Sequence, residues 1–226
     1  MKNLDNFFQI VFQNDDFLVI NKQNNLSTQH NKDYKESVEG YLKEFGYPFT
    51  SLPRCGIVHR LDKDTTGLLL IAKNLKYFDF LIDLFKERKI EKNYFSLHKG
   101  NPETNKGEIS FFLKKKFVKN KPVKMEINSS DGKFVKLYFE LIKSSNGFSL
   151  LKVNPITGRT HQIRLAFQAI NFPIYNDPLY GNKELSSDQY GQYLHASSLK
   201  FSDKEKNFEF LSDFPDSFLK KLNGIL

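Results

Sequence analysis

The chain has 226 residues, 39% of them hydrophobic, with 23 phenylalanines and no tryptophan; that is enough to bury a sizeable core and excludes a disordered polymer. Lysine and arginine total 34 against 26 acids, a net charge of +8 that suits a nucleic acid or an anionic membrane surface and says nothing about fold. Cys55 is the only cysteine, which excludes an intrachain disulfide, suits a reducing compartment and reads as a small buried hydrophobe.

Residues 7–12 form an apolar patch broken by Gln9, too short for a signal segment or a membrane span, so a cytoplasmic protein with no membrane partner is expected. The five histidines lack metal-ligand spacing, so no metal is expected. Residues 9–21 predict two short strands around the turn Asn14-Asp15-Asp16, the second over 17–20. A helix over 35–46 ends at Gly46. The apolar run 68–72, bounded by turn signals, predicts a strand buried on both faces. Asn74 then caps a helix on which Leu75, Phe78, Leu81, Ile82 and Phe85 recur at helical spacing.

From residue 90 to 154 the pattern is mostly strand: 90–98, 108–113, 123–127, 134–142 and 148–153, separated by Gly, Asn, Asp and Lys turns. In the first of these, period-two alternation sets Lys92, Tyr94, Ser96 and His98 on a polar side. A helix over 160–170, capped by Thr160, carries Ile163, Ala166, Phe167 and Ile170 on one face and His161, Arg164 and Gln168 on a wet one. A late strand covers 193–201. The whole reads as an α+β fold, a largely antiparallel mixed β-sheet core with flanking helices and loops, and one catalytic domain is expected over 1–226. No internal repeat, phosphate loop or dinucleotide fingerprint is present.

The most informative segment is His59-Arg60-Leu61-Asp62-Lys63-Asp64-Thr65-Thr66-Gly67, hard against the apolar strand. A carboxylate between Arg60 and Lys63 is kept ionised by its neighbours, as a nucleophilic aspartate requires. The bland alternative is a solvated charge cluster on a turn. Tyr94 on a polar strand side could stack on a base, or merely complete the sheet surface. Arg164 and His161 near a helix N-terminus suit an anion, either phosphate or the Asp62 carboxylate, or form an ordinary wet face.

Residues 59–73 resemble the signature of the RluA-type pseudouridine synthases, His-Arg-Leu-Asp followed by Thr/Ser-Gly and an apolar strand. The run from Thr157-Gly158-Arg159 through His161-Gln162-Ile163-Arg164 is similar to the family's third motif. Asp177-Pro178-Leu179-Tyr180-Gly181 is similar to its Gly-Asp-X-X-Tyr-Gly region, and Leu194-His195-Ala196 to its late strand. The likeness covers roughly residues 9–215, with no N-terminal S4-type module ahead of it. It departs at Gln23, where a proline is common, at Asn176, where a glycine is usual, and at Leu165–Phe167.

The resemblance implies a pseudouridine-synthase-like fold and an RNA uridine isomerase of ribosomal or transfer RNA, with no cofactor and a flipped target base. It implies Asp62 as nucleophile, Tyr94 as the strand tyrosine and Arg164 as the arginine paired with Asp62; Arg60 helps occupy the space that the base leaves. His59, Thr66, Arg159 and His161 join Arg60 as expected substrate contacts. Lys115, within a lysine-rich hairpin of Lys114, Lys116, Lys119, Lys121 and Lys124, is expected to track phosphates. Asp64 reads as a turn residue supporting Thr65-Thr66-Gly67, and a monomer is the simplest expectation for a chain without coiled-coil heptads. The rivals are a non-catalytic RNA-binding or RNA-chaperone protein on the same fold and a hydrolase holding a metal on Asp62 and Asp64.

Overall fold

A computed structural model describes residues 8–30, 36–116, 124–128, 131–181 and 190–226. The chain forms two compact units, the first from Met1–Lys92 with His195–Pro215, the second from Asn93–Leu194 with Asp216–Leu226.

In the first unit, β1 (Phe8–Gln13) and β2 (Phe17–Lys22) flank the turn that the sequence predicts, where Asn14 Oδ1 accepts from the backbone N–H of Asp16 and Phe17. β2 pairs antiparallel with β3 (Thr66–Ala72), all seven of whose residues are buried, as the apolar run demands. β3 meets β9 (Leu194–Asp203) in parallel only at Thr66↔His195 and Gly67↔Ala196, and β10 (Lys206–Leu211) returns antiparallel on β9. Gly67 is obligatory: φ is +108° and a Cβ would stand 2.2 Å from the Ala196 carbonyl oxygen.

The helix α1 (Val38–Glu44) starts later than the pattern predicts because Ser37 is its cap, accepting from Gly40 N–H. The helix α2 (Leu75–Lys86) is capped by Asn74 as expected. Its Tyr77, Phe78, Leu81 and Leu84 close over the alternate residues Phe17, Val19, Leu68, Leu70 and Ala72, joined by Leu199, Phe201 and Phe210. Each such side chain contributes about 1.5–3 kcal/mol by leaving water.

The second unit is an antiparallel sheet in the order β4 (Glu91–Lys99), β8 (Phe148–Pro155), β7 (Lys133–Ser145), β5 (Lys106–Lys116), β6 (Lys124–Asn128). Among these strand pairs only β3–β9 is parallel, which is the largely antiparallel α+β arrangement expected. α3 (Gln162–Ala169) covers one face through Phe167, which packs edge-on to Phe139 and His98. α4 (Asp216–Ile225) seats Phe218 against Tyr190 and Tyr193.

Four features differ from the sequence reading. β10, α4 and two short 3-10 turns (Pro48–Ser51 and Pro53–Gly56) were not expected. The polar side of β4 is not wet: Ser96 and His98 are fully buried, Ser96 Oγ bonding His98 Nε2 while His98 Nδ1–H donates to the Phe172 and Pro173 carbonyls. Thr160 does not cap α3, which begins at Gln162 behind a left-handed His161. Arg164 does not lie on a wet face but is 3% exposed, whereas Gln168 is exposed and Ile170, assigned to the apolar face, is 44% exposed.

Candidate active site

The first unit supplies the loop that carries Asp62, and side chains remote in sequence fix its backbone. Ile57 bridges Ile71, and two residues on His59 Nε2 accepts from the N–H of Leu70 at 2.9 Å. β9 pairs with β3 only at its first two residues, so this ring supplies an acceptor further along the strand. Partial burial against Phe85 and the nearby Lys92 charge push His59 down to about 3, so it stays neutral and accepting.

Thr28 Oγ1 donates to the Leu61 carbonyl at 2.7 Å and accepts from the Leu61 N–H at 3.1 Å. Lys63 O accepts from Leu26 N–H and from Lys22 Nζ at 3.0 Å. Lys22 is fully buried, and its Nζ also donates to Gln23 O and Leu26 O, each at 2.9 Å. Burial lowers its pKa to about 7, against the opposing pull of the Asp64 and Asp62 carboxylates. Asp62 therefore stands between two residues whose backbone is held on both sides, with its own carbonyl closing a turn onto Thr65 N–H. Its side chain is half-buried and Arg60 is exposed.

Thr66 faces inward. It is fully buried and its hydroxyl lies 2.9 Å from His195 Nδ1, while His195 Nε2 lies 3.1 Å from the Ser212 carbonyl. A carbonyl can only accept, so Nε2 carries the proton and Nδ1 accepts from Thr66. Thr66 thus ties β3 to β9, a structural contact in place of the substrate contact expected.

In the second unit the loop after β8 hangs on a single backbone position of β7. Lys136 N–H donates to Thr157 Oγ1, and Lys136 O accepts from Ile156 N–H and Gln162 Nε2. Thr157 Oγ1 donates to Gln162 Oε1 at 2.7 Å, and that oxygen also accepts from Arg159 N–H. The motif therefore folds on itself and turns α3 inward, leaving the Arg159 side chain exposed.

His161 takes a left-handed conformation (φ +55°) that brings Nδ1 to 3.0 Å from the Tyr180 hydroxyl. Arg164 Nε and Nη2 meet the two Asp177 oxygens at 2.7 Å each, with both side chains almost fully buried. Asp177 Oδ1 also accepts from Leu179 and Tyr180 N–H, and the guanidinium lies 5.3 Å from the Tyr180 ring centre. A buried guanidinium held this way is fixed in rotamer and always charged. Tyr94, 9% exposed, sits opposite Val153 and hence on the sheet face that α3 covers.

Sequence reasoning missed Lys22 and Thr28, for which the signal was faint: one lysine ending an apolar strand and one threonine in a loop. Asp177 and Tyr180 fell within a family-like segment, but no role as partners of Arg164 and His161 was read from it. Asn176, where a glycine is usual, has φ +58°, and asparagine is among the few residues that tolerate that region. Of the lysine run, Lys114 pairs with Asp131 at 2.6 Å; the side chains of Lys115, Lys116 and Lys124, and all of Lys119 and Lys121, lie outside the described residues. Among the described residues no cluster of metal-ligating side chains occurs and no helix is long and apolar enough to cross a membrane.

A family model described as RNA pseudouridylate synthase matches residues 16–169. The chain is 37% identical over 196 residues to the ribosomal large subunit pseudouridine synthase C of Rickettsia felis, covering 86% of the chain and 63% of that protein. It is 33% identical over 220 residues to the ribosomal large subunit pseudouridine synthase D of Borreliella burgdorferi, covering 93% of the chain and 66% of that protein. The chain thus spans somewhat less than two thirds of these relatives' length. The solved structure of human RNA pseudouridylate synthase domain containing 1 superposes with a TM-score of 0.77 at 26% identity, over 96% of this chain and 86% of that one. On the match of the family model over residues 16–169, the chain belongs to the RluA-type RNA pseudouridylate synthase family.

Proposed function

We propose that the chain isomerises uridine in RNA to pseudouridine, with large-subunit ribosomal RNA as substrate. The observation that carries the reading is the loop around Asp62, whose backbone is held on one side by Thr28 at Leu61 and on the other by Lys22 at Lys63, with Asp62 itself half-buried between them. That is the preorganisation a nucleophile needs. The relatives' names supply the choice of RNA.

The reaction breaks the N1–C1′ bond of uridine and forms C5–C1′; C5 loses its proton and N1 ends protonated. Composition is unchanged, so the isomerisation is balanced without an oxidant, a reductant or a phosphoryl donor. The target base leaves its stack at a cost of a few kcal/mol, offset by contacts to the flipped nucleotide. Asp62 acts as nucleophile on the uridine, at ribose C1′ or uracil C6. Arg164, charged and fixed in rotamer by Asp177, serves as the cation that keeps Asp62 ionised. Tyr94 stacks on the detached base and assists loss of the C5 proton. Arg60 fills the space left by the base; Arg159, His161 and Lys115 contact the RNA.

Asp62→Ala is expected to abolish pseudouridine formation on a large-subunit ribosomal RNA transcript while RNA affinity changes less than threefold. Pseudouridine counted in the digested transcript reads the outcome, with a transfer RNA pool as the second arm. Wild-type levels from the variant would overturn the assignment of Asp62.

A further inference from the structure

The sheet of the second unit ends at β6, and between that edge and the C-terminal half of α3 lies a groove of 620 Å³. Buried Leu165 and Tyr180 line it, together with Met125, Glu126 and Ile127 of β6 and the exposed, carboxamide-bearing Gln168 and Asn171. The Met125 N–H donates to the Tyr180 hydroxyl at 3.0 Å, which shows that this edge of β6 turns toward the groove. Strand alternation then presents the N–H and C=O of Ile127 to the same edge. Backbone donor and acceptor, two carboxamides and apolar side chains with an aromatic ring form a set that matches a flat heterocycle with polar edges. The volume falls within the range of small-molecule sites, about 300–1,000 Å³. The same Tyr180 carries Arg164 against its ring and His161 at its hydroxyl, so the groove shares a wall with the arginine assigned to catalysis.

We propose that this groove takes one unpaired nucleobase of the substrate RNA near the target uridine and thereby selects which uridines are modified. The proposal rests on the reading of the chain as an RNA pseudouridine synthase. A strand of another protein adding to β6 is the competing occupant, and it would leave the modification of naked RNA untouched.

The test uses the full chain and a naked large-subunit ribosomal RNA transcript. Gln168→Ala combined with Asn171→Ala, both on exposed positions, is expected to raise KM at least tenfold with kcat within twofold. Ile127→Trp, which fills the groove, is expected to redistribute pseudouridine among the transcript's uridines. A photoreactive benzoylphenylalanine at position 127 is expected to cross-link to the transcript whether or not turnover occurs, and circular dichroism verifies folding. Unchanged KM and an unchanged map beside an active wild type overturn the groove and leave the enzyme reading intact. Absence of the cross-link overturns it as well. A wild type inactive on ribosomal and transfer RNA overturns the enzyme reading, and the cross-link then decides the groove by itself.

Discussion

The loop around Asp62 and the helix that carries Arg164 are preorganised in opposite ways. Around Asp62 the protein grips the backbone on either side of the functional residue, using Thr28 and Lys22 from more than 30 residues away, and leaves the carboxylate half-buried. At Arg164 the functional side chain itself is gripped, by both oxygens of Asp177, and the supporting knot of Thr157 and Gln162 is local. For the nucleophile proposed at Asp62, which has to reach the substrate, only the backbone can be tied. For the electrostatic role proposed for Arg164, the cation can be buried and fixed, provided its charge is matched.

The contrast breaks most sharply at Asp177. Asp177→Asn removes the carboxylate that holds the buried Arg164 guanidinium at two points and is expected to cost about 3–5 kcal/mol of stability, read as a lower urea midpoint. Arg164→Lys at the other end keeps a charge but loses the two-point fork, so activity should fall at least tenfold even where the protein remains folded. An Asp177→Asn midpoint equal to wild type would show that the pair is not what fixes the arginine.

Next comes the loop. Thr28→Val preserves shape but deletes both bonds to Leu61, and about 1–3 kcal/mol of stability should go with them. Because the loop then shifts under Asp62, kcat should drop roughly tenfold with KM little changed. A variant that loses stability but keeps kcat would show that Asp62 does not depend on this clamp.

A further effect is graded with pH and belongs to both units. His98 in the second unit and His195 in the first are fully buried, and burial pushes each from 6.5 down to about 4. Between these values the unfolded chain binds more protons than the folded one. The stability that these histidines contribute is therefore complete above pH 6.5 and lost as pH falls toward 4, by about 1.4 kcal/mol per pH unit for each. Denaturant midpoints at pH 7 and pH 5 measure the slope, to which His59 contributes in the same sense, and His195→Asn should lower it by about a third.

The readable parts were those with strong local patterns. The run Leu68-Leu69-Leu70-Ile71-Ala72, bounded by turn signals, read as a strand covered on both faces, and Asn74 ahead of a 3.6-residue periodicity read as a helix cap; both are seen. The β4 alternation of polar and apolar residues misled, because Ser96 and His98 satisfy one another and the neighbouring carbonyls inside the protein. Arg164 misled for the same reason: an arginine reads as solvated until its carboxylate is found, and Asp177 is 13 residues away on a turn that no periodicity marks.

What the sequence alone determined was the α+β class, the order of the long elements and the motif around Asp62, since periodicity, capping and motif spacing are local quantities. The tertiary structure decided which polar groups are buried and who satisfies them: Lys22 under the Asp62 loop, Thr66 turned to His195, Arg164 turned to Asp177. The physical reason is that a buried polar group must find a partner, and that partner is chosen by proximity in space, which residue spacing does not encode.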